Sequence, residues 1–136
     1  MSGYLYVPNE YDNTVSVIDI SINSVVATIP VAGAYADTAA ISPNGALVYV
    51  VSESGTVSVI DTSSNTVVST IGVGAQPYFA AFSPDGSRAY VTNHGSNTVS
   101  IIDTASDSVL TNINVGNGRP VQLIAATHSA NFSAGV

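Results

Sequence analysis

Thr14-Val-Ser-Val-Ile-Asp19, Thr56-Val-Ser-Val-Ile-Asp61 and Thr98-Val-Ser-Ile-Ile-Asp103 are one hexapeptide written three times, 42 residues apart. Other matches extend outward from it. Upstream stand Leu5-Tyr-Val-Pro-Asn9, Val48-Tyr-Val-Val-Ser52 and Ala89-Tyr-Val-Thr-Asn93. Downstream stand Ser24-Val-Val-Ala-Thr-Ile29, Thr66-Val-Val-Ser-Thr-Ile71 and Ser108-Val-Leu-Thr-Asn-Ile113. A fourth element occurs twice in clear form, as Thr38-Ala-Ala-Ile-Ser-Pro-Asn-Gly45 and Phe79-Ala-Ala-Phe-Ser-Pro-Asp-Gly86.

Each segment is short, rich in Val, Ile, Tyr and Thr, and bounded by Gly, Asn, Asp or Pro, which is how strands read. Thr56 to Asp61 alternates polar and apolar, the period of a half-buried strand. Asn44-Gly45 and Asp85-Gly86 read as hairpin turns. Asp61-Thr-Ser-Ser-Asn65 and Asp103-Thr-Ala-Ser-Asp107 read as Asx-type turns. No stretch shows capped helical periodicity, so essentially no helix is expected. Four short antiparallel strands in a unit of about 40–45 residues are the blade of a β-propeller. The chain therefore reads as all-β, a propeller segment of three four-stranded blades, with repeats at about 3–46, 47–87 and 88–130.

Tyr90-Val-Thr-Asn93 followed by Asn97-Thr-Val-Ser-Ile-Ile-Asp103 resembles the YVTN β-propeller repeat of surface-layer-type proteins. Ser83-Pro-Asp-Gly86 is similar to the hairpin that precedes that motif. The resemblance implies that this hairpin joins strand A, nearest the ring axis, to strand B. The chain then opens on strand B of its first blade, and Val121 to Ala126 falls where a further A strand belongs. That gives twelve strands, with the first blade lacking its A strand and a spare A at the end.

Rings of this kind have four to eight blades. The expectation is a homodimeric six-bladed ring closed by strand exchange between copies; the competing expectation is a stretch of a longer surface-layer-type propeller. An open wedge bares two blade faces of about 350 Å² each. Together they exceed the roughly 300–600 Å² of a monomer's largest apolar patch. Covering them is worth more than about ten kcal/mol before association costs. The unpaired edge of the first blade adds an aggregation hazard.

Composition bounds the partners. Of 136 residues only 8% are charged; the cations are Arg88 and Arg119, against nine acids, for a net charge of −7. Nucleic acid and anionic membrane surfaces are excluded as partners, since both need clustered Lys and Arg. No apolar run reaches the ~18 residues of a membrane span. The partners expected are a second copy, another protein or a glycan. With no cysteine, thiolate metal sites and cysteine nucleophiles are excluded. The N-terminus lacks the regions of a signal peptide, while the low charge and the resemblance point to the cell surface or outside.

Asp19, Asp61 and Asp103 stand one per blade and are read as turn caps rather than calcium ligands. His94 and His128 are the only histidines, too few for an ordinary structural metal centre. No nucleophile elbow, Walker loop or dinucleotide fingerprint occurs, so no catalytic residue, metal or cofactor is assigned and a non-enzymatic interaction module is expected. Propeller geometry puts candidate binding residues on the D–A and B–C loops, which open on one face. The D–A loops give Tyr35, Asp37, Gln76, Tyr78, Arg119 and Gln122; the B–C loops give Glu10, Tyr11, Glu53 and His94. Arg119 is the sharpest of them, expected to pair with a nearby acid. The alternative function is a lectin-like propeller whose blades offer similar shallow sugar sites.

Overall fold

The computed structural model describes residues 3–122. Eleven strands run through them: β1 (Tyr4–Asn9), β2 (Thr14–Asp19), β3 (Ser24–Pro30), β4 (Ala36–Ile41), β5 (Leu47–Ser52), β6 (Thr56–Asp61), β7 (Thr66–Gly72), β8 (Pro77–Phe82), β9 (Arg88–Asn93), β10 (Thr98–Asp103) and β11 (Ser108–Asn114). They form three antiparallel sheets ordered β1-β2-β3, β4-β5-β6-β7 and β8-β9-β10-β11. The fold is all-β, three blades of a propeller. Each sheet is offset from the sequence repeat by one strand, because the Ser-Pro-Asx-Gly hairpin joins β4 to β5 and β8 to β9 across a repeat boundary. Among the described residues the first blade has three strands, and β1 pairs only with β2. Val121 and Gln122 are not strand, and the rest of the twelfth strand expected at Val121 to Ala126 lies outside the described residues, as does His128.

Turn chemistry explains the spacing. In Ser42-Pro43-Asn44-Gly45 the Gly45 N–H bonds the Ser42 carbonyl at 2.8 Å, and Gly45 holds φ 74°. Pro43 presets the second position and glycine supplies the left-handed end. The hairpin read at Asn44-Gly45 is there, joining β4 to β5. Ser83 to Gly86 repeats it, and Asp85 accepts from the Ser87 N–H at 2.9 Å and from the Ser83 and Ser87 hydroxyls. Those donors, led by the Ser87 N–H, hold the Asp85 carboxyl down at about 2. Asp19 and Asp61 cap their turns in the same way, each accepting from the main-chain N–H two residues on, of Ser21 and Ser63, at 2.8 Å.

The core is two layers between three blades. Val15, Val17 and Ile29 of the first blade meet Val48, Val50 and Ile60 of the second. Tyr49, Val57, Val59 and Ile71 of the second meet Ala80, Phe82, Ala89, Val91 and Ile102 of the third. One irregularity sorts the faces. The register of each third strand with its fourth slips after Val17, Val59 and Ile101, leaving Val26, Val68 and Leu110 unpaired and about half exposed. The bulge reverses alternation within the outer strand. Val67 and Ile71 therefore face different neighbours despite their even spacing.

A tyrosine ties each blade to the next. Tyr6 Oη donates to Asn65 Oδ1 at 2.7 Å, and Tyr49 Oη donates to Asp107 Oδ1 at 2.9 Å. Burial, then the hydrogen bond to Asp107, pushes the Tyr49 hydroxyl far above its ordinary range. Tyr49 also packs its ring 4.7 Å from Phe82.

Candidate functional site

Two sets of equivalent positions converge beside the ring axis. Glu10, Glu53 and His94 follow the ends of β1, β5 and β9. Tyr35, Gln76 and Arg119 are the second set; Tyr35 and Gln76 directly precede β4 and β8, and all three hold left-handed φ of 59°, 45° and 52°. Hydrogen bonds hold these strained positions. Asn13 Oδ1 accepts the Tyr35 N–H at 2.9 Å, and Asn97 Oδ1 accepts the Arg119 N–H at 3.0 Å. Across each complete blade the sets are zipped together, with the Glu53 N–H on the Tyr35 carbonyl at 2.9 Å and the His94 N–H on the Gln76 carbonyl at 3.0 Å.

A second bulge aims side chains at the axis. The pairing of β4 with β5 skips Asp37, and that of β8 with β9 skips Tyr78. A bulged residue is turned out of the ladder, a frequent device beside functional clefts. Asp37 and Tyr78 accordingly line a cleft of about 680 Å³ with Glu10, Glu53, Gln76, His94 and Arg119. Thr38 and Phe79 complete the lining and were not among the sequence candidates. They read as ordinary strand residues, and only the bulge one position earlier marks them. Of the other candidates, Tyr35 and Tyr11 lie outside that lining and make an edge-to-face pair at 6.2 Å. Gln122 is exposed and does not line the cleft.

The cleft is electrostatically divided. Glu10, Asp37 and Glu53 make one part acidic; desolvation, then Glu53 and Glu10, raises the Asp37 carboxyl above its usual range. The third blade contributes the imidazole of His94, whose ring lies 5.9 Å from Tyr78. His94 Nδ1 and Asn93 Oδ1 are buried without a hydrogen-bond partner. Arg119 forms no ion pair among the described residues, contrary to expectation; its main-chain N–H donates to Asn97 Oδ1. Arg88, at the surface, pairs with Asp103 at 3.1 Å. No cluster of three or more potential metal-ligating side chains occurs among the described residues. No helix there is long and apolar enough to cross a membrane.

The family model for the cytochrome D1 heme domain matches residues 5–126. The chain belongs to that family. No curated protein sequence matches it. Among solved structures, it is similar to Kuenenia stuttgartiensis hydrazine synthase, at 29% identity and TM-score 0.83, over 86% of this chain and 34% of that one. It is also similar to the dihydro-heme d1 dehydrogenase NirN in complex with DHE, at 25% identity and TM-score 0.74, over 87% of this chain and 25% of that one. A structure of U3-55K, at 16% identity and TM-score 0.75, covers 82% of this chain and 36% of that one, and shares the fold alone. The chain thus spans between a quarter and just over a third of each of these structures. These findings overturn the expectation of a non-enzymatic module: the family is a heme domain, and two of the similar structures are of a synthase and a dehydrogenase. The propeller stands, within a family other than the surface-layer type.

The chain's own residues fit an iron tetrapyrrole. The cleft volume is within the 300–1,000 Å³ of small-molecule sites. Histidine is an ordinary axial ligand to heme iron, and a guanidinium suits the acid side chains of such a ring. The unpartnered Nδ1 of His94 is a buried polar atom that a bound group or water would have to explain.

Proposed function

We propose that this propeller segment forms part of a redox enzyme domain that holds a heme-type tetrapyrrole at the ring axis. The observation that carries this reading is His94: the one imidazole among the cleft residues, with an orphaned ring nitrogen, in a chain of a heme-domain family. His94 would hold the iron of such a group. Tyr78 and Phe79 would pack the apolar rim, and Arg119 would orient acid side chains of the macrocycle. Bound there, the group would supply one-electron chemistry, which protein side chains of this set do not offer. Asp37 keeps its proton to higher pH than an ordinary carboxylate and so can hold or yield one at the cleft wall.

An absorption titration with hemin tests the reading. A saturable Soret shift is expected, lost in His94→Ala and retained in Tyr11→Ala, which lies outside the cleft. An identical titration in His94→Ala overturns it.

A second reading concerns the ring itself, and one observation favours it. Leu5, Val7 and Val25 are half exposed, yet the equivalent Val48, Val50 and Val67 pack into the first core layer. A face built like an interior needs a neighbour, and a second copy closing a six-bladed ring by strand exchange supplies one. The motif Tyr90-Val-Thr-Asn93 supports a YVTN-type repeat for these blades.

A further inference from the structure

An imidazole that holds a metal is normally oriented by the hydrogen bond that its second ring nitrogen makes. His94 makes no such bond through Nδ1, which is buried without a partner among the described residues. The main chain around it is fixed: the His94 N–H donates to the Gln76 carbonyl at 3.0 Å, and the Gly95 N–H to the Ala75 carbonyl at 2.9 Å. Those bonds place the His94 backbone and leave the angle of the ring open. The group that meets the ring is Tyr78, with centroids 5.9 Å apart and planes tilted by 37°. The angle of the imidazole therefore depends on how firmly Tyr78 is held.

Tyr78 sits at the bulge, where the pairing of β8 with β9 skips it, so no residue of β9 stands opposite. A bulge redirects a side chain at the expense of the local ladder. The support comes from the neighbouring blade instead. Thr38 Oγ1, on β4, donates to the Tyr78 carbonyl at 2.6 Å. Thr38 is half-buried, and as a β-branched residue it has few χ1 choices, so its hydroxyl is already aimed. The equivalent place in the third blade is Phe79, which has no donor, so the link runs from the second blade to the third. The bulged residue of the second blade is Asp37, which has no ring to set against Glu53. Thr38, Tyr78 and His94 all line the axial cleft.

We infer that Thr38 is a positioning residue for His94. Its hydroxyl pins the Tyr78 carbonyl at the bulge, the pinned backbone sets the phenol ring against the imidazole, and the imidazole is held at one angle to the cleft. This rests on the reading that His94 holds the iron of a tetrapyrrole. It adds a residue of the second blade to a ligand of the third, acting through Tyr78. Losing an outer partner of a metal ligand typically costs about 10–100-fold in affinity. Every group in the relay lies between β4 and the turn after β9.

Two measurements on the whole chain test this: an absorption titration with hemin, and NMR of the imidazole carbon–proton signals without hemin. The His94 signals are those missing from His94→Ala. Thr38→Val keeps the size of the side chain and removes the donor. It is expected to weaken hemin binding about tenfold or more, and to shift the His94 signals of the hemin-free chain. Thr38→Ser, which keeps the hydroxyl, is expected to match the wild type in both. Thr38→Ala serves as the second removal if the valine variant does not fold. Tyr78→Leu is expected to weaken binding as much, and adding Thr38→Val to it to change nothing further, because the hydroxyl acts through that ring. Wild-type affinity and unmoved His94 signals in the valine or alanine variant overturn the inference. So does a loss that serine does not rescue, or one that adds in full to Tyr78→Leu. Where the wild type takes hemin through His94, those results leave the axial site standing. Where it takes none, the axial reading falls by itself and the hemin-free signals still decide. Signals moved by valine and restored by serine then sustain the placement of His94 by Thr38, and unmoved signals overturn it.

Discussion

Val50 and Val7 occupy the same place in consecutive blades, as do Tyr49 and Tyr6. Val50 is fully buried and Val7 is 38% exposed; Tyr49 is sealed between blades, whereas Tyr6 is only partly covered. The local sequence is nearly the same in both blades, but β5 lies between β4 and β6 whereas β1 pairs only with β2 among the described residues. What differs is the neighbour, so burial here belongs to the ring and not to the residue. The middle blade, covered on both faces, shows what the outer blades are built to become.

The largest effect that separates them is a truncation. Tyr49→Ala removes a fully buried ring and is expected to cost about 3–5 kcal/mol of chain stability in a urea melt. Tyr90→Ala, at a half-buried position, is expected to cost under about 1 kcal/mol. Equal losses would erase the contrast. A smaller step is Tyr49→Phe, expected to cost about 1 kcal/mol for the bond to Asp107, with Tyr6→Phe costing less because its hydroxyl is nearer water.

Two titrations sharpen the comparison further, and their signs oppose. Asp37 holds its proton more tightly folded than unfolded, so its contribution is fully present below the ordinary carboxylate range and fades as pH rises through its raised value. Asp37→Asn is therefore expected to melt higher than wild type at neutral pH and to lose that advantage in acid. Asp85, held at about 2 by its turn, contributes above the ordinary carboxylate range and loses it as pH falls through that value. Asp85→Ala is expected to melt slightly lower than wild type at pH 7 and to converge with it near pH 2. Calorimetric scans across pH check both.

The blades were legible because their causes are local. Period-two alternation, prolines and glycines at turns and a 42-residue interval need no distant information. The loop face was legible too, since repeat phase alone brings Glu10, Glu53 and His94 together. Thr38 and Phe79 were not, because a bulge before each redirects strands that otherwise read as regular. Nor was membership of a heme-domain family. A heme-type site needs only one imidazole in the right wall, and a single histidine among many polar loop residues carries no spacing pattern. The family match supplied what the residues by themselves withheld.

Analytical ultracentrifugation of the chain with hemin, followed at the Soret band and at the protein band together, tests the axial site most directly. Soret absorbance that sediments with the protein, and that falls away from it in His94→Ala, is the result expected. Soret absorbance that co-sediments equally with wild type and His94→Ala, or with neither, would contradict a tetrapyrrole held at the ring axis by His94.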